Sequence, residues 1–286
     1  MRTAGAASVD WRDAAYYAPL LDADRSLFAW EWLRRNPAYC AAAAGCPSGR
    51  GRSMAAPAFG LVRFEPPDRA VPLARPLWSA EAFPLVLEVE PVDGAHADAF
   101  ELARLGQFAT LAATRRREHL LLSDGFRTIR LDGPRGAFSG GASCLRYRLE
   151  GLASAGPRLV TLQRFLALCR SGVFRRILHP SERRAQRWIA LLRAFDAVAA
   201  GATQREIAEV LVRASVSAPR WRSREPSVRS GAQRLVRTAA RFAAGGYLGL
   251  LDPPRPVGDA RSPTACAQAS ITMEADPNAT PSAEYV

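Results

Sequence analysis

A run of arginine, serine and glutamine side chains near the carboxyl end of the sequence has the chemistry needed to contact nucleic acid. Residues 227–241, SVRSGAQRLVRTAAR, contain no acidic side chain. Arginine can bind a guanine edge through two hydrogen bonds, and glutamine can bind adenine in the same way. We therefore predict that bases are contacted by Arg229, Ser230 and Gln233, and that phosphates are contacted by Arg234, Arg237 and Arg241.

The same segment carries apolar residues at helical spacing, which predicts that it forms a helix opening at Ser227. The apolar residues follow one another at intervals of four and three, and are Val228, Ala232, Leu235, Ala239 and Phe242. This spacing places them on one side of a helix. The opposite side then carries cations without the interspersed glutamates that form ion pairs on ordinary surface helices. Their mutual repulsion predicts an anionic partner.

Two further helices are predicted before this segment. Thr203 followed by Glu206 forms a capping-box pattern, which predicts that a short helix begins at Thr203 and ends near Arg213. A longer helix is predicted over 181–200, with a buried side formed by Trp188, Leu191, Leu192, Phe195 and Val198. A long helix, a short capped helix and a cationic third helix are typical of a helix-turn-helix.

The connector ASVSAPRWRSREP, which precedes Ser227, is longer than the three or four residues of the tightest helix-turn-helix motifs. A generic three-helix bundle is therefore the alternative. We predict that Arg222, Arg224 and Ser227 also contact DNA. Trp221 fits either a backbone contact or a plug in the bundle core.

The charge of the chain is concentrated around these helices. All 39 basic residues are arginine and the formal net charge is +12. Residues 151–250 hold 18 arginines and five acidic residues, a net charge of +13, whereas the other 186 residues hold 21 arginines and 22 acidic residues, a net charge of −1. Such asymmetry indicates a polyanion as partner, although solubility or an acidic protein partner would also explain it.

Composition and periodicity predict an α+β fold with five segments. These are a small N-terminal helical module (8–40), a linker (41–57), a central antiparallel β domain (58–150), a C-terminal helical helix-turn-helix domain (151–251) and a disordered tail (252–286). Within the module a helix is predicted over 22–35, where Trp30 and Trp32 fit core packing or, alternatively, base stacking.

The central segment changes to the period-two pattern of strands. Asp124-Gly125 between two apolar runs predicts a hairpin with a type I′ turn. One short helix is predicted at 97–105 and another helix at 156–172, ended by Gly172. The predicted strands are 59–65, 84–90, 107–113, 118–124, 126–132 and 144–150.

Catalytic, metal and membrane functions have weak support. His96, His119 and His179 lie far apart, without a metal-binding spacing or an evident carboxylate partner. The glycines and serines of 136–143 lack a phosphate-loop motif and fit a turn between strands. The five cysteines show no C-x-x-C pair, and no apolar run is long enough to span a membrane. We expect a cytoplasmic, nucleoid-associated protein that is not an enzyme and needs no cofactor or metal.

Several stretches of the sequence closely resemble a known family. They are REHLLLSDG, LRYRL, HPSERRAQRWIALLRAFDAVAAGATQREIAEVL and VRSGAQRLVRTAARFAAGGYLGLL. These stretches resemble the RovC-like DNA-binding domain of proteobacterial transcription factors. The N-terminal stretch YYAPLLDADRSLFAWEWLRRNPAY looks like the transcriptional regulator-like domain that precedes it in longer members.

The resemblance implies a sequence-specific transcriptional activator of the kind that controls excision and transfer of integrative and conjugative elements, or secretion genes. Double-stranded DNA is the implied partner, with RNA polymerase or an antiactivator protein as a further one, and a homo-oligomer would increase specificity. The alternative is an antiactivator-like protein-interaction module, which uses the helix-turn-helix to bind another regulator rather than DNA.

Overall fold

One short helix and two longer ones open the fold. The computed structural model describes residues 9–46, 55–92, 98–212 and 225–253. Helix α1 spans Ala14–Tyr17, α2 spans Arg25–Leu33 and α3 spans Pro37–Ala44. Side-chain caps start each of them, because the side chains of Asp13, Asp24 and Asn36 accept hydrogen bonds from the first free backbone N–H groups. Trp30 and Trp32 are buried in the core, which confirms their packing role.

Five strands form one sheet in the order β2-β3-β4-β1-β5. Antiparallel pairing joins β2 to β3, β3 to β4 and β1 to β5, whereas β1 and β4 are parallel. Apolar side chains of one sheet face pack against Phe165 and Leu168 of the following helix. The strands are β1 (Leu87–Val92), β2 (Ala109–Ala113), β3 (Arg117–Ser123), β4 (Thr128–Pro134) and β5 (Cys144–Arg148).

Four helices follow the sheet. They are α4 (Leu152–Ser171), α5 (Ala185–Ala199), α6 (Gln204–Ile207), which continues as a π-helical turn over Ala208–Val212, and α7 (Glu225–Ala243). Gly172 ends α4 in the left-handed conformation, as predicted. A 3₁₀ turn, Gly246–Leu250, follows α7.

The largest hydrophobic core joins the N-terminal helices to the C-terminal ones. Leu27, Phe28 and Trp32 of α2 share this core with Trp188 and Leu192 of α5, with Ala239 of α7 and with Tyr247 of the last turn. Ring contacts reinforce it: the ring centroids of Phe28 and Trp188 lie 5.0 Å apart, and those of Trp32 and Phe242 lie 5.4 Å apart. The N-terminal module therefore packs directly on the helices that follow the sheet.

The predicted α+β class is confirmed, with differences in detail. The sheet is mixed rather than wholly antiparallel, because β1 pairs with β4 across a long crossover. The β3–β4 hairpin exists and Gly125 has a positive φ, but four residues separate the last pair, Ser123 and Thr128, so the turn is not the two-residue type I′ turn. The Asp124 carboxylate instead accepts hydrogen bonds from the N–H groups of Phe126 and Arg127.

Several local predictions are wrong. Helix α5 begins at Ala185 rather than at residue 181, and Val198, predicted on its buried side, is 49% exposed. Residues 59–65 form no strand, only a bridge between Leu61 and Trp78. Among the described residues of 97–105 there is no α-helix; a 3₁₀ segment runs over Leu102–Phe108. Residues 41–44 belong to α3 rather than to a loop, since alanine has the highest helix propensity. The predicted disordered tail lies outside the described residues from 254 onward.

No described helix has both the length and the apolar composition needed to cross a membrane.

Candidate nucleic-acid interface

Helix α7 has the two-sided character that its sequence predicts. Ala232 and Ala239 are buried, and Val228, Leu235 and Phe242 are half-buried against the rest of the protein. The predicted apolar stripe is therefore confirmed. It anchors α7 mainly on α5, and also on α6 and the π-helical turn.

The opposite side of α7 is cationic and open to solvent. Arg229, Arg234, Arg237 and Arg241 are exposed, and within the described part of the chain none of them forms an ion pair or a side-chain hydrogen bond. Ser230 is also exposed, next to Arg229. No described carboxylate therefore compensates the repulsion between these guanidinium groups. Such an unneutralised cationic surface is typical of a site that binds an anion.

The other predicted contact residues have different placements. Gln233 is half-buried and lies one helical turn after Arg229, so the two share one side of α7. Ser227 lies within α7, but its side chain is outside the described residues. Arg222, Arg224 and Trp221 also lie outside them. The structure thus brings together the six predicted residues from 229 to 241 on one helix.

Helix α6 begins as the sequence predicts. The hydroxyl of Thr203 accepts a hydrogen bond from the N–H of Glu206, and the Glu206 carboxylate accepts one from the N–H of Thr203 at 2.8 Å. The Thr203 hydroxyl also donates to the Glu206 carboxylate, at 2.9 Å. The hydrogen bond from the Thr203 N–H, and then the one from its hydroxyl, lower the pKa of the Glu206 carboxyl. Ile207, the last residue of α6, is fully buried.

An aromatic residue of the N-terminal module completes the packing of these three helices. Trp11 is buried and packs with Ala197 of α5 and Ile207 of α6, and Leu235 of α7 packs against the same cluster. Nothing in the spacing of residues 9–13 indicates this role, because Trp11 stands outside any helical pattern. Only the folded chain places it here.

Polar contacts fix the same N-terminal residues. The Arg193 guanidinium donates hydrogen bonds to the carbonyl oxygens of Trp11 (2.9 Å) and Arg12 (2.8 Å). Arg12 in turn forms an ion pair with Glu206 at 2.8 Å. The segment before α1 is thereby tied to both α5 and α6.

A buried charge network provides a second link between the N-terminal module and α5. Arg35 binds Asp196 through two hydrogen bonds of 2.8 and 2.9 Å, and the Tyr17 hydroxyl donates to the same carboxylate at 2.7 Å. Burial, followed by the Asp196 carboxylate, raises the pKa of Tyr17. Glu31 also pairs with Arg35 at 2.6 Å. Burial would raise the pKa of Glu31, but the charges of Arg35 and Arg34 outweigh it, and the pKa is lowered.

The surroundings of His119 and His179 indicate structural roles for both side chains. His119 lies 2.9 Å from Asp132, which also pairs with Arg130 at 2.9 Å, so the expectation that no carboxylate partner exists is wrong for His119. The two residues face each other across β3 and β4, a pairing that the sequence alone does not reveal. Burial, then Arg164 and Arg127, lowers the pKa of His179 to about 3. His96 lies outside the described residues.

Residues 136–143 form the predicted turn between strands. The Glu118 carboxylate accepts hydrogen bonds from the N–H groups of Phe138 and Ser139 and from the Ser139 hydroxyl, so it holds this turn. In the part of the chain that the structure describes, no group of His, Cys, Asp and Glu side chains is arranged to hold a metal ion. Among the described cysteines, Cys40, Cys144 and Cys169 are free thiols.

Comparison with protein families identifies two domains. Residues 149–252 match the family described as a type VI secretion (T6SS) transcription factor, DNA-binding domain, of the RovC type. Residues 10–60 match the proteobacterial transcriptional regulator-like domain. No curated protein and no solved structure shows a significant match to the chain. The first match includes α5, α6 and α7, and the second includes Trp11 and Arg35.

Proposed function

We propose that α7 is the recognition helix of this chain. The premise is that the chain is a DNA-binding transcriptional regulator, with a RovC-type DNA-binding domain behind a proteobacterial transcriptional regulator-like domain. One observation carries the proposal: the exposed side of α7 presents arginines that no described carboxylate neutralises. A duplex supplies that missing negative charge.

The packing of α5, α6 and α7 supports a helix-turn-helix. Helix α7 contacts both α5 and the short capped α6, as a recognition helix contacts the two helices before it. The N-terminal residues of a recognition helix reach the base edges. In this arrangement Arg229 binds guanine, Gln233 binds adenine, and Ser230 assists them.

The remaining cations position the protein on the duplex. Arg234, Arg237 and Arg241 lie further along α7 and contact phosphates, which provide affinity without sequence information. Arg222, Arg224 and Ser227, in the connector and at the start of α7, add contacts near the same groove.

The biological setting follows from the resemblance to the family. We propose that the protein acts on DNA in the cytoplasm as an activator of mobile-element excision or transfer genes, or of secretion genes. RNA polymerase or an antiactivator protein is then its further partner. A homo-oligomer would place several recognition helices on one operator and so increase specificity.

Selection of preferred duplexes from a random pool, followed by binding measurements with variants, tests the assignment of residues. Arg229→Ala and Gln233→Ala should each lose about 1–3 kcal/mol of discrimination at particular base pairs. Arg241→Ala is the matched comparison on the same helix, and should weaken preferred and random duplexes alike.

Equal effects of the three substitutions on all sequences would contradict the placement of the recognition helix. Failure of the unmodified protein to bind any duplex, even at low salt, would favour the protein-interaction module instead. In that case the same cationic side of α7 would bind an acidic surface of another regulator.

A further inference from the structure

An open groove lies between α5 and α7, on one flank of the cationic side of α7. Its volume is about 470 Å³. Leu191 and Leu235 contribute apolar lining, and Gly231 and Thr238 also line the groove. The charged lining residues are Arg187, Arg234, Arg237 and Arg241. Guanidinium groups from two helices therefore border a single groove.

The contribution of α5 to this groove was not predicted from the sequence. Arg187 of α5 is exposed, and so are Arg183 and Arg184 in the turn before the helix. No ion pair involves these three arginines among the described side chains. Their acidic neighbour Glu182 lies instead 3.9 Å from Arg25 of α2.

The groove suits a chain of phosphates better than a single small anion. One phosphate group can satisfy one or two guanidinium groups, whereas four arginines line this groove. A DNA strand presents phosphates at regular intervals, and it already lies against Arg234, Arg237 and Arg241 in the proposed function. The cationic surface continues from α7 onto α5 without an intervening described carboxylate.

We propose that this groove binds the phosphate backbone of the DNA, and that Arg187 is a DNA contact supplied by the supporting helix α5. The inference rests on the proposed function of α7. It extends the interface beyond the recognition helix to a second helix. Because Arg187 contacts phosphate only, it contributes affinity and salt dependence but no base specificity.

The test measures DNA binding by fluorescence anisotropy over a salt series, with the full chain and both a preferred and a random duplex. Arg187→Ala should reduce the log–log salt slope by about 0.9, and should raise the Kd about eightfold at 0.1 M salt, which is the effect of losing one phosphate contact. The loss should be equal on both duplexes. Arg187→Lys should retain most of the slope, because it keeps the charge.

Arg116→Ala provides the matched control. Arg116 is likewise exposed and forms no ion pair with a described side chain, but it lies in the turn between β2 and β3. It should leave the slope unchanged. Since the Arg187 side chain is exposed, its removal should not alter the unfolding midpoint in urea, which is measured on the same samples.

An Arg187→Ala variant that binds both duplexes with the slope and Kd of the unmodified protein would overturn the proposal, while the function assigned to α7 would stand. The absence of any salt-dependent duplex binding by the unmodified protein would instead contradict the proposed function, and the groove assignment with it. Loss confined to the preferred duplex would also overturn the proposal, because it would indicate base contact by Arg187.

Discussion

Replacement of Trp11 by alanine should destabilise the bundle formed by α5, α6 and α7, although Trp11 lies far from these helices in the sequence. The Trp11 side chain is 2% exposed and packs on Ala197 and Ile207. Truncation of a buried tryptophan to alanine costs about 3–5 kcal/mol, since both the burial and the packing contacts are lost. The ring also lies 4.3 Å from the Arg12 guanidinium, and this exposed cation–π contact adds about 0.5–1 kcal/mol. We therefore expect a loss of about 3.5–6 kcal/mol.

DNA binding should fall together with stability. Trp11 contacts α5 and α6, which hold the buried side of α7. Its loss should therefore lower the fraction of molecules in which α7 is correctly packed. The affinity should decrease by the same factor on preferred and random duplexes. Urea unfolding followed by circular dichroism gives the stability, and anisotropy gives the affinity of the same preparation.

Leu21→Ala is the control for general damage to the N-terminal module. The Leu21 side chain is 42% exposed, so its truncation should cost less than about 1 kcal/mol. A Trp11→Ala variant with an unchanged urea midpoint and unchanged DNA affinity would refute the reasoning, because it would show that the N-terminal residues do not support the bundle.

Three further measurements check other parts of the structure. His179 has a folded-state pKa of about 3, below its ordinary value of about 6.5, so the unfolded state binds the proton first as the pH drops. The free energy of unfolding should therefore fall between pH 6.5 and pH 3, by about 2 kcal/mol at pH 5. His179→Gln should remove this pH dependence from urea titrations. Asp196→Ala leaves the buried Arg35 with one carboxylate partner fewer, and should cost about 3 kcal/mol in the same unfolding assay, whereas an unchanged midpoint would show that the link is dispensable. Thr203→Ala removes the cap of α6 and should lower stability by about 1 kcal/mol; faster amide exchange should be confined to α6, and uniform exchange rates would argue against a local cap.

Features set by neighbouring residues were predictable from the sequence. The apolar spacing of α7 determines which side is buried, and Thr203 with Glu206 fixes the start of α6 through hydrogen bonds that span three residues. Five of the six predicted strands were located correctly because alternation of apolar residues is also a local signal. The same holds for the termination of α4 at Gly172.

Features set by distant residues were not predictable. Arg35 and Asp196 are separated by 161 positions, and neither has a local pattern that indicates the other. The parallel pairing of β1 with β4 depends on where a long crossover returns, and alternation carries no information about strand direction. The groove between α5 and α7 likewise depends on how the two helices pack. Each helix can be predicted from its own sequence, but only their packing places arginines of both helices around one groove.

The salt dependence of duplex binding by the unmodified protein tests the central claim most directly. Three phosphate contacts from Arg234, Arg237 and Arg241 predict a log–log slope of about −2.7, and a fourth from Arg187 steepens it to about −3.6. A slope of about −2.7 or steeper, measured on a duplex that the protein prefers over random DNA, is the result expected. A slope near zero, or no binding at the lowest salt concentration, would contradict the claim that the cationic side of α7 faces DNA.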